Sequence, residues 1–388
     1  MFSTRTIRDR TPNRLALALE RERSTGRPLL DLTVSNPTTA GIAYPADAIL
    51  SALAKPASLV YSPEPFGIET ARDAVSVELA RHGVTCPASH IALTASTSEA
   101  YAFVLDLLCD PGDEVLVPTP SYPLLEHLAT LEGVALSPYR LAYDGEWHVD
   151  MASVRAACTE RTRAIIVVAP NNPTGSYLKR DELTALASLG LPIVSDEVFA
   201  PFSLATQDER RARTALEARD ALVFALSGLS KLAGLPQLKL AWIAVGGPAA
   251  LVDEALARLE LVADTYLSVA TPVQLALPEI FESAGIVRDA IRERVRDNLA
   301  SARRIVRPGS AATLLHVEGG WYATIRVPET HSEEHWALAL LEQDGVYVHP
   351  GWFFDFPDGA HLVVSLLTPP GDFDRGLELL VSRVDTTT

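Results

Sequence analysis

Leu222-Val223-Phe224-Ala225-Leu226-Ser227-Gly228-Leu229-Ser230-Lys231, residues 222–231, is an apolar run that closes in a polar cluster, and its reading decides the fold. Four further runs share this form: His90–Thr94, Glu114–Val117, Ala164–Val168 and Pro192–Ser195. Short continuous apolar runs of this kind read as strands buried on both faces. Between them, helical spacing marks Thr70–His82, Ser98–Leu108 and Arg180–Ser188. Strands alternating with helices from about residue 70 to 245 predict an α/β fold, a mostly parallel sheet covered on both faces in three layers. In open sheets of this class the ligand crevice lies beyond the carboxyl ends of the strands. The polar clusters that end the runs are therefore expected to converge on one pocket.

Working outward, Pro248 to about Glu282 reads as a long helical connection broken near Thr271-Pro272, because proline disfavours helix in the residue before it. Ile286–Arg304 reads as an arginine-rich amphipathic helix. Strand-like segments at Gly320–Val327, Val346–His349 and His361–Leu367, with a helix at Ser332–Glu342, predict a smaller α+β domain. The arm from Met1 to Leu30, with Leu15, Leu17 and Leu19 set among charges, is expected to pack back on the body. The expected division is thus 1–45 for the arm and part of the small domain, 46–255 for the large domain, and 256–388 for the interdomain helix and the rest of the small domain.

The 388 residues suffice for two folding units, and 48% hydrophobic content excludes a disordered chain. A formal net charge of −16 argues against a nucleic-acid partner, since phosphate backbones are bound by clustered Lys and Arg. Cys86, Cys109 and Cys158 are too few and too scattered for a disulfide framework or a zinc site, and they suit a reducing compartment. The N-terminus has no apolar h-region and carries Asp9, Glu20 and Glu22, unlike a secretory or transit signal. No apolar run approaches a membrane span. A cytoplasmic protein is expected.

The chemistry-bearing residues sit at the ends of the runs. Lys231, flanked by small residues, has room beside it for a ring. A lysine that attacks aldehydes must be the free amine, so its site must lower its pKa by burial or nearby cations. Asp196 ends the run Pro192–Ser195, which puts a carboxylate at a strand end; a turn or helix-capping aspartate has the same pattern. Asn172, in Asn171-Asn172-Pro173-Thr174-Gly175, follows another strand and also suits a plain turn. Ser96, Thr97 and Ser98 close a strand and open a helix. Their hydroxyls and amides offer a phosphate cradle, compatible with a capping box between Ser96 and Glu99.

Taken in order, these motifs resemble a fold-type I pyridoxal-phosphate enzyme of the class I/II aminotransferase family, over roughly residues 30 to 370. The resemblance implies that Lys231 forms the internal Schiff base (aldimine), that Asp196 pairs with the pyridine nitrogen and keeps it protonated, and that Asn172 bonds the ring 3′-oxygen. It implies that Tyr122 in Pro120-Ser121-Tyr122-Pro123 stacks on the ring. Ser96, Thr97, Ser98, Ser230 and Lys239 are expected to hold the phosphate. Tyr61, in Tyr61-Ser62-Pro63-Glu64-Pro65-Phe66-Gly67, resembles a tyrosine that reaches the phosphate of a neighbouring subunit, which implies a homodimer with active sites at the interface. The segment Tyr266–Pro272 is a second candidate for approach to the partner.

Three positions depart from the family pattern. Phe199 stands where tyrosine is usual three residues after the aspartate, removing one hydrogen bond to the 3′-oxygen. Lys239 stands where the phosphate arginine is usual, giving charge without a bidentate fork. Val363 stands where an arginine grips the substrate carboxylate. Arg326, Tyr322 and Asn36 are the candidates for substrate contact. Tyr322 and Arg326 are an even number of residues apart and share a strand face, although an arginine there also suits a plain surface position. His349 and His361 flank this region as structural or surface histidines. The resemblance implies transfer of an amino group between an amino acid and a 2-oxo acid by a ping-pong cycle. A lyase or decarboxylase on the same fold is the alternative. A DNA-binding regulator or a cofactor-free binding module fits less well, because no basic recognition helix is present and Lys231, Asp196 and Asn172 are.

Overall fold

A computed structural model describes residues 2–6, 11–204 and 208–387. Its centre is an eight-stranded sheet in the order Ile91–Thr94, Ala241–Gly246, Val223–Gly228, Ile193–Asp196, Thr162–Val168, Glu114–Thr119, Ala135–Tyr143, Trp147–Val149. Ala241–Gly246 and Trp147–Val149 run against the other strands. The alternation of side chains explains why the central runs are apolar throughout. Ile165, Val167, Ile193, Val223 and Ala225 enter one core, and Ala164, Ile166, Val194, Phe224 and Leu226 enter the core on the opposite face. All five expected runs lie in this sheet. The strands Ala135–Tyr143 and Ala241–Gly246 and the short edge strand Trp147–Val149 complete it.

The smaller domain has its own core under a four-stranded antiparallel sheet of Thr313–Leu314, Tyr322–Val327, Ala360–Ser365 and His349–Pro350. Leu15, Ala18 and Leu32 of the N-terminal arm enter this core, and Leu30–Asp31 pairs in parallel with Val346–Tyr347. The arm is thus packed against the elements of the smaller sheet.

The helical connection breaks as its sequence predicts, with one helix at Ala249–Tyr266 and the next beginning at Thr271. That second helix does not pause before Ile286; it runs unbroken for 35 residues to Ile305, through Pro278. At about 1.5 Å per residue it is roughly 50 Å long. Its Val273–Ala284 stretch packs in the large-domain core and its Val287–Ala302 stretch in the small-domain core. The boundary expected at 255/256 falls inside the Ala249–Tyr266 helix, whose Val252, Ala255, Leu259 and Ala263 pack on the large sheet. The change of core comes some thirty residues later because one helix serves both domains.

Candidate active site

Lys231 lies in a one-turn helix, Leu229–Leu232, directly after the strand Val223–Gly228. The turn is packed tightly: a Cβ on Gly228 would stand 2.8 Å from Ala241 Cβ, and one on Gly234, at φ +65°, 2.9 Å from the Tyr44 hydroxyl. Tyr44 Oη donates to Gly234 O at 2.7 Å and fixes the loop from outside. Lys231 Nζ stands 5.0 Å from the centre of the Trp321 ring and 5.6 Å from that of Phe199. Burial pushes its pKa below the ordinary lysine value, with Asp196 pulling the other way. This is the environment that the free amine requires.

Asp196 ends the neighbouring strand, Ile193–Asp196. Its Oδ1 accepts from Val198 N and its Oδ2 from the Tyr101 hydroxyl, both at 3.2 Å. Burial raises its pKa to about 6, against those two donors and the charge of Lys231. The carboxylate is thus ionised at neutral pH and gains from a buried cationic N–H brought against it.

Asn172 is buried, and its Oδ1 has no hydrogen-bond partner among the described residues. Asn171 carries the turn instead, its Oδ1 accepting from Thr174 N and Thr174 Oγ1. Ser96 caps the helix Thr97–Leu108, its Oγ accepting from Glu99 N at 3.2 Å, while Glu99 Oε2 accepts from Ala95 N at 2.6 Å. The capping box expected between Ser96 and Glu99 is therefore shifted by one residue on its return bond. Among the described residues the Ser96 hydroxyl proton and the amides of Thr97 and Ser98 have no acceptor, which suits an anion.

Tyr122 is half exposed, beside Ser121, whose buried hydroxyl also lacks a partner among the described residues. Phe199 is buried, with its ring edge-on to Trp321 at 5.4 Å and to Tyr322 at 6.1 Å. Tyr322 hydrogen-bonds the Ser35 side chain, and burial pushes its phenol up to about 12. Asn36 is exposed next to Ser35 and is engaged in its own turn, accepting from Thr38 N and Thr38 Oγ1. Ser230 is half-buried beside Lys231, and Lys239 is exposed in a left-handed conformation at φ 53°.

Two expected contributors lie elsewhere. Arg326 shares the strand face of Tyr322, but four residues of strand carry it about 13 Å away. It is exposed and lines a separate cleft with Tyr143, Trp147, Phe356, Asp358 and His361, so the structure does not bring it to Lys231. Tyr61 is 74% exposed and lies beside Leu267, Ser268 and Thr271, which joins the two segments expected at a partner on one surface. Val363 is buried opposite Thr324 and His349, with no cation in its place. Tyr101 and Trp321 were not singled out by the sequence. A buried phenol or indole needs a polar partner, and that is the one local signal either carries.

These residues fit pyridoxal phosphate. The carboxylate of Asp196 suits a pyridinium N–H, the Lys231 amine, pushed by burial toward its uncharged form, suits an aldehyde carbon, and the helix start suits a phosphate. Asn172 Oδ1, Ser121 Oγ and Trp321 Nε1 near this region have no hydrogen-bond partner among the described residues, as is true of Trp147 Nε1 and His361 Nδ1 elsewhere.

The family model for aminotransferase class I and II matches residues 27–375. An alanine aminotransferase of Mycobacterium tuberculosis is 28% identical over 375 residues, covering 92% of this chain and 85% of its own. The glutamate–pyruvate aminotransferase AlaA of Escherichia coli is 24% identical over 364 residues, covering 91% and 89%. Among solved structures, an aminotransferase from Escherichia coli superposes with a TM-score of 0.86 at 23% identity, over 99% of this chain and 98% of its own. A double mutant of Thermus thermophilus aspartate aminotransferase gives 0.84 at 24% identity, over 98% and 99%. The fold is that of the fold-type I enzymes, and the chain belongs to the class I and II aminotransferases, pyridoxal-phosphate-dependent enzymes that transfer amino groups.

Proposed function

We propose that Lys231 is the residue that binds the cofactor covalently and moves the proton in each half-reaction. The observation that carries this is the placement of its amine, withdrawn from water so that its pKa is lowered, beside two aromatic rings and near the Asp196 carboxylate. Bound pyridoxal phosphate supplies an electron sink for the charge left when a proton leaves the substrate carbon. Lys231 Nζ, whose burial favours the uncharged amine, is the base that takes that proton and the acid that returns it. Asp196 holds a proton at the pyridine nitrogen through its ionised carboxylate. Tyr101 and the Val198 amide keep that carboxylate oriented. Asn172 bonds the 3′-oxygen, Tyr122 covers the ring, and Ser96, Thr97 and Ser98 meet the phosphate, with Ser230 and Lys239 adding a hydroxyl and a charge.

The names of the relatives support short amino acids such as alanine and glutamate, with their 2-oxo acids, as substrates. Nothing in the comparisons favours a lyase or decarboxylase. Because Val363 is apolar, the carboxylate end of the substrate meets Tyr322, Ser35 and Asn36 rather than a guanidinium from that strand. The exposed Leu59, Val60, Tyr61 and Leu267 support a homodimer in which Tyr61 approaches the partner's site. Three unpaired cysteines support a cytoplasmic setting.

The test is spectroscopic. The purified enzyme should show a visible absorbance band from bound cofactor that bleaches on addition of an active amino donor and returns with a 2-oxo acid. Lys231→Ala should lack that covalent band and lose at least about 10⁴-fold in turnover. Ammonia or carbon dioxide release without an amino-form cofactor would overturn the aminotransferase assignment.

A further inference from the structure

The strand ends that carry Asp196 and Lys231 have a second side. Side chains alternate along a strand, so while Asp196 turns to Tyr101, its neighbours Ser195 and Glu197 turn to the opposite face of the sheet and bond each other. Ser227 and Trp242, paired across the next two strands, share that face. Glu197, Ser227 and Trp242 border a cavity of 480 Å³, whose wall also includes Leu79, Val84 and Leu232. Small-molecule sites have this size, roughly 300 to 1,000 Å³, and this mixture of an apolar wall with a few polar groups.

Glu197 is the unusual member of this wall. Its Oε1 accepts from Ser195 Oγ at 2.9 Å, Thr214 Oγ1 at 3.0 Å and Ala215 N at 2.7 Å, which fixes the carboxylate in place. Among the described residues Oε2 accepts from none of these donors, and no cation stands within ion-pair distance. Burial pushes the Glu197 pKa up to about 7 against its three donors, and the charge of Asp196 pushes the same way. A carboxylate withdrawn from water without a cation gains from one brought to it.

Most other charges on the wall are already engaged. Glu78 holds Arg81, His82 and Arg288. Arg211 is paired with Glu318, Arg180 with Glu217 and Asp208 with Arg210. Outside these pairs, among the described residues, stand Glu197, the exposed Glu209 and one cation, Arg213. Arg213 directly precedes Thr214, the donor to Glu197, and its Nη1 lies against Gly83, where a Cβ would stand 2.7 Å away. An anchored carboxylate with an open oxygen and an unpaired guanidinium therefore border one cavity.

We infer that this cavity is a second small-molecule site, which takes an α-amino acid as its zwitterion: the ammonium group meets Glu197 Oε2, the carboxylate meets Arg213, and the side chain lies on Leu79, Val84 and Leu232. A lone amine would leave Arg213 unmet, and a lone anion would bring like charge to Glu197. The occupant is held and not transformed. It sits behind the strand ends that carry Asp196 and Lys231, on the opposite face of the sheet from the Asp196 carboxylate.

The experiment is isothermal titration of the loaded enzyme with L-proline and with N-methyl-L-leucine, zwitterions whose secondary amines cannot be transferred. Each should bind once per subunit with a Kd on the order of 1 mM or lower, and the visible cofactor band should not change. Glu197→Gln, which keeps the shape and removes the charge, should weaken both at least about 10-fold, the size of one bond to a charged group. Arg213→Ala should weaken them about three- to fivefold, as for an exposed ion pair, and should leave the binding of L-prolinamide, which lacks the carboxylate, unchanged. Both variants should keep the parent's bleaching by an active donor within about twofold. Arg213→Ala alters an exposed side chain, so it decides the matter if Glu197→Gln does not fold. Failure of both probes to bind up to about 50 mM, a cofactor band that shifts on binding, or an affinity indifferent to Arg213→Ala or to Glu197→Gln would each overturn the inference. The titration itself does not depend on the assignment of Lys231, whose failure would show separately as absence of the band.

Discussion

The Tyr101 hydroxyl lies 3.2 Å from Asp196 Oδ2, joining a helix on one side of the large sheet to the carboxylate at the end of a central strand. Burial pushes the Asp196 pKa up to about 6, and Tyr101 is one of the donors that stop it rising further. The carboxylate must be ionised to hold a pyridinium, so cofactor affinity is lost as the pH falls through about 6. Tyr101→Phe removes a donor from the charged form and moves that loss upward, toward neutrality. We expect its cofactor Kd to rise about 10- to 100-fold at pH 7, the range for one bond to a charged group, and to recover in part near pH 9. Fluorescence titration at the two pH values decides it; equal affinity of variant and parent at pH 7 would remove Tyr101 from the site.

Glu318 is the next residue with a defined cost. It is the shared acceptor of Lys179 and Arg211, in the interior and immediately before Gly319-Gly320-Trp321. Glu318→Ala leaves two cations buried without their anion, which typically costs about 3 to 5 kcal/mol. Urea unfolding should show this as a lower midpoint with an unchanged slope. Lys179→Met, which leaves Glu318 paired with Arg211, should cost clearly less. Equal losses for the two variants would mean that the triad is not a unit.

Arg326 supplies a test by inactivity. Its guanidinium stands in the cleft with Tyr143, Trp147 and Phe356, remote from the aromatic wall around Lys231. Arg326→Ala should leave the donor concentration for half-maximal bleaching of the cofactor band within about twofold of the parent, as for a surface substitution. Tyr322→Phe, which removes the phenol bonded to Ser35, should raise it about 5- to 10-fold, the cost of one modest hydrogen bond. A large effect of Arg326→Ala with none for Tyr322→Phe would reverse the assignment.

The contrast between these residues shows what the sequence made legible. Apolar runs such as Ala164–Val168 announced a doubly covered sheet because both alternating faces are buried, and the polar ends of those runs announced the site because parallel strands end together. Ala135–Tyr143 lacked that signal: it is the strand next to the edge, covered on its outer side only over Leu141–Tyr143, with a proline and several exposed positions, so no apolar run marks it. The partnership of Tyr101 with Asp196 spans 95 residues and lies on a helix face that reads only as core. Arg326 shows a different gap. Parity put it on the right face of its strand, but parity carries no information about distance along the strand, and distance is what separates it from Lys231.

Tyr61 allows the dimer and the active-site assignment to be tested together. With Leu59 and Val60 it forms an exposed apolar stretch, and it lies beside Leu267 and Ser268 at the break between the two long helices. If Tyr61 completes the partner's site, Tyr61→Ala and Lys231→Ala disable different halves of each composite site. Homodimers of either variant have two defective sites. A mixed dimer has one site with both lesions and one with neither, so exchange of equal amounts should restore about a quarter of parental activity from two nearly inactive preparations. Equilibrium sedimentation should report a dimer throughout, and Leu59→Asp, which puts a charge in the apolar stretch, should shift it toward monomer. Restoration of no activity by a mixture shown to have exchanged subunits would leave Tyr61 serving its own subunit or none.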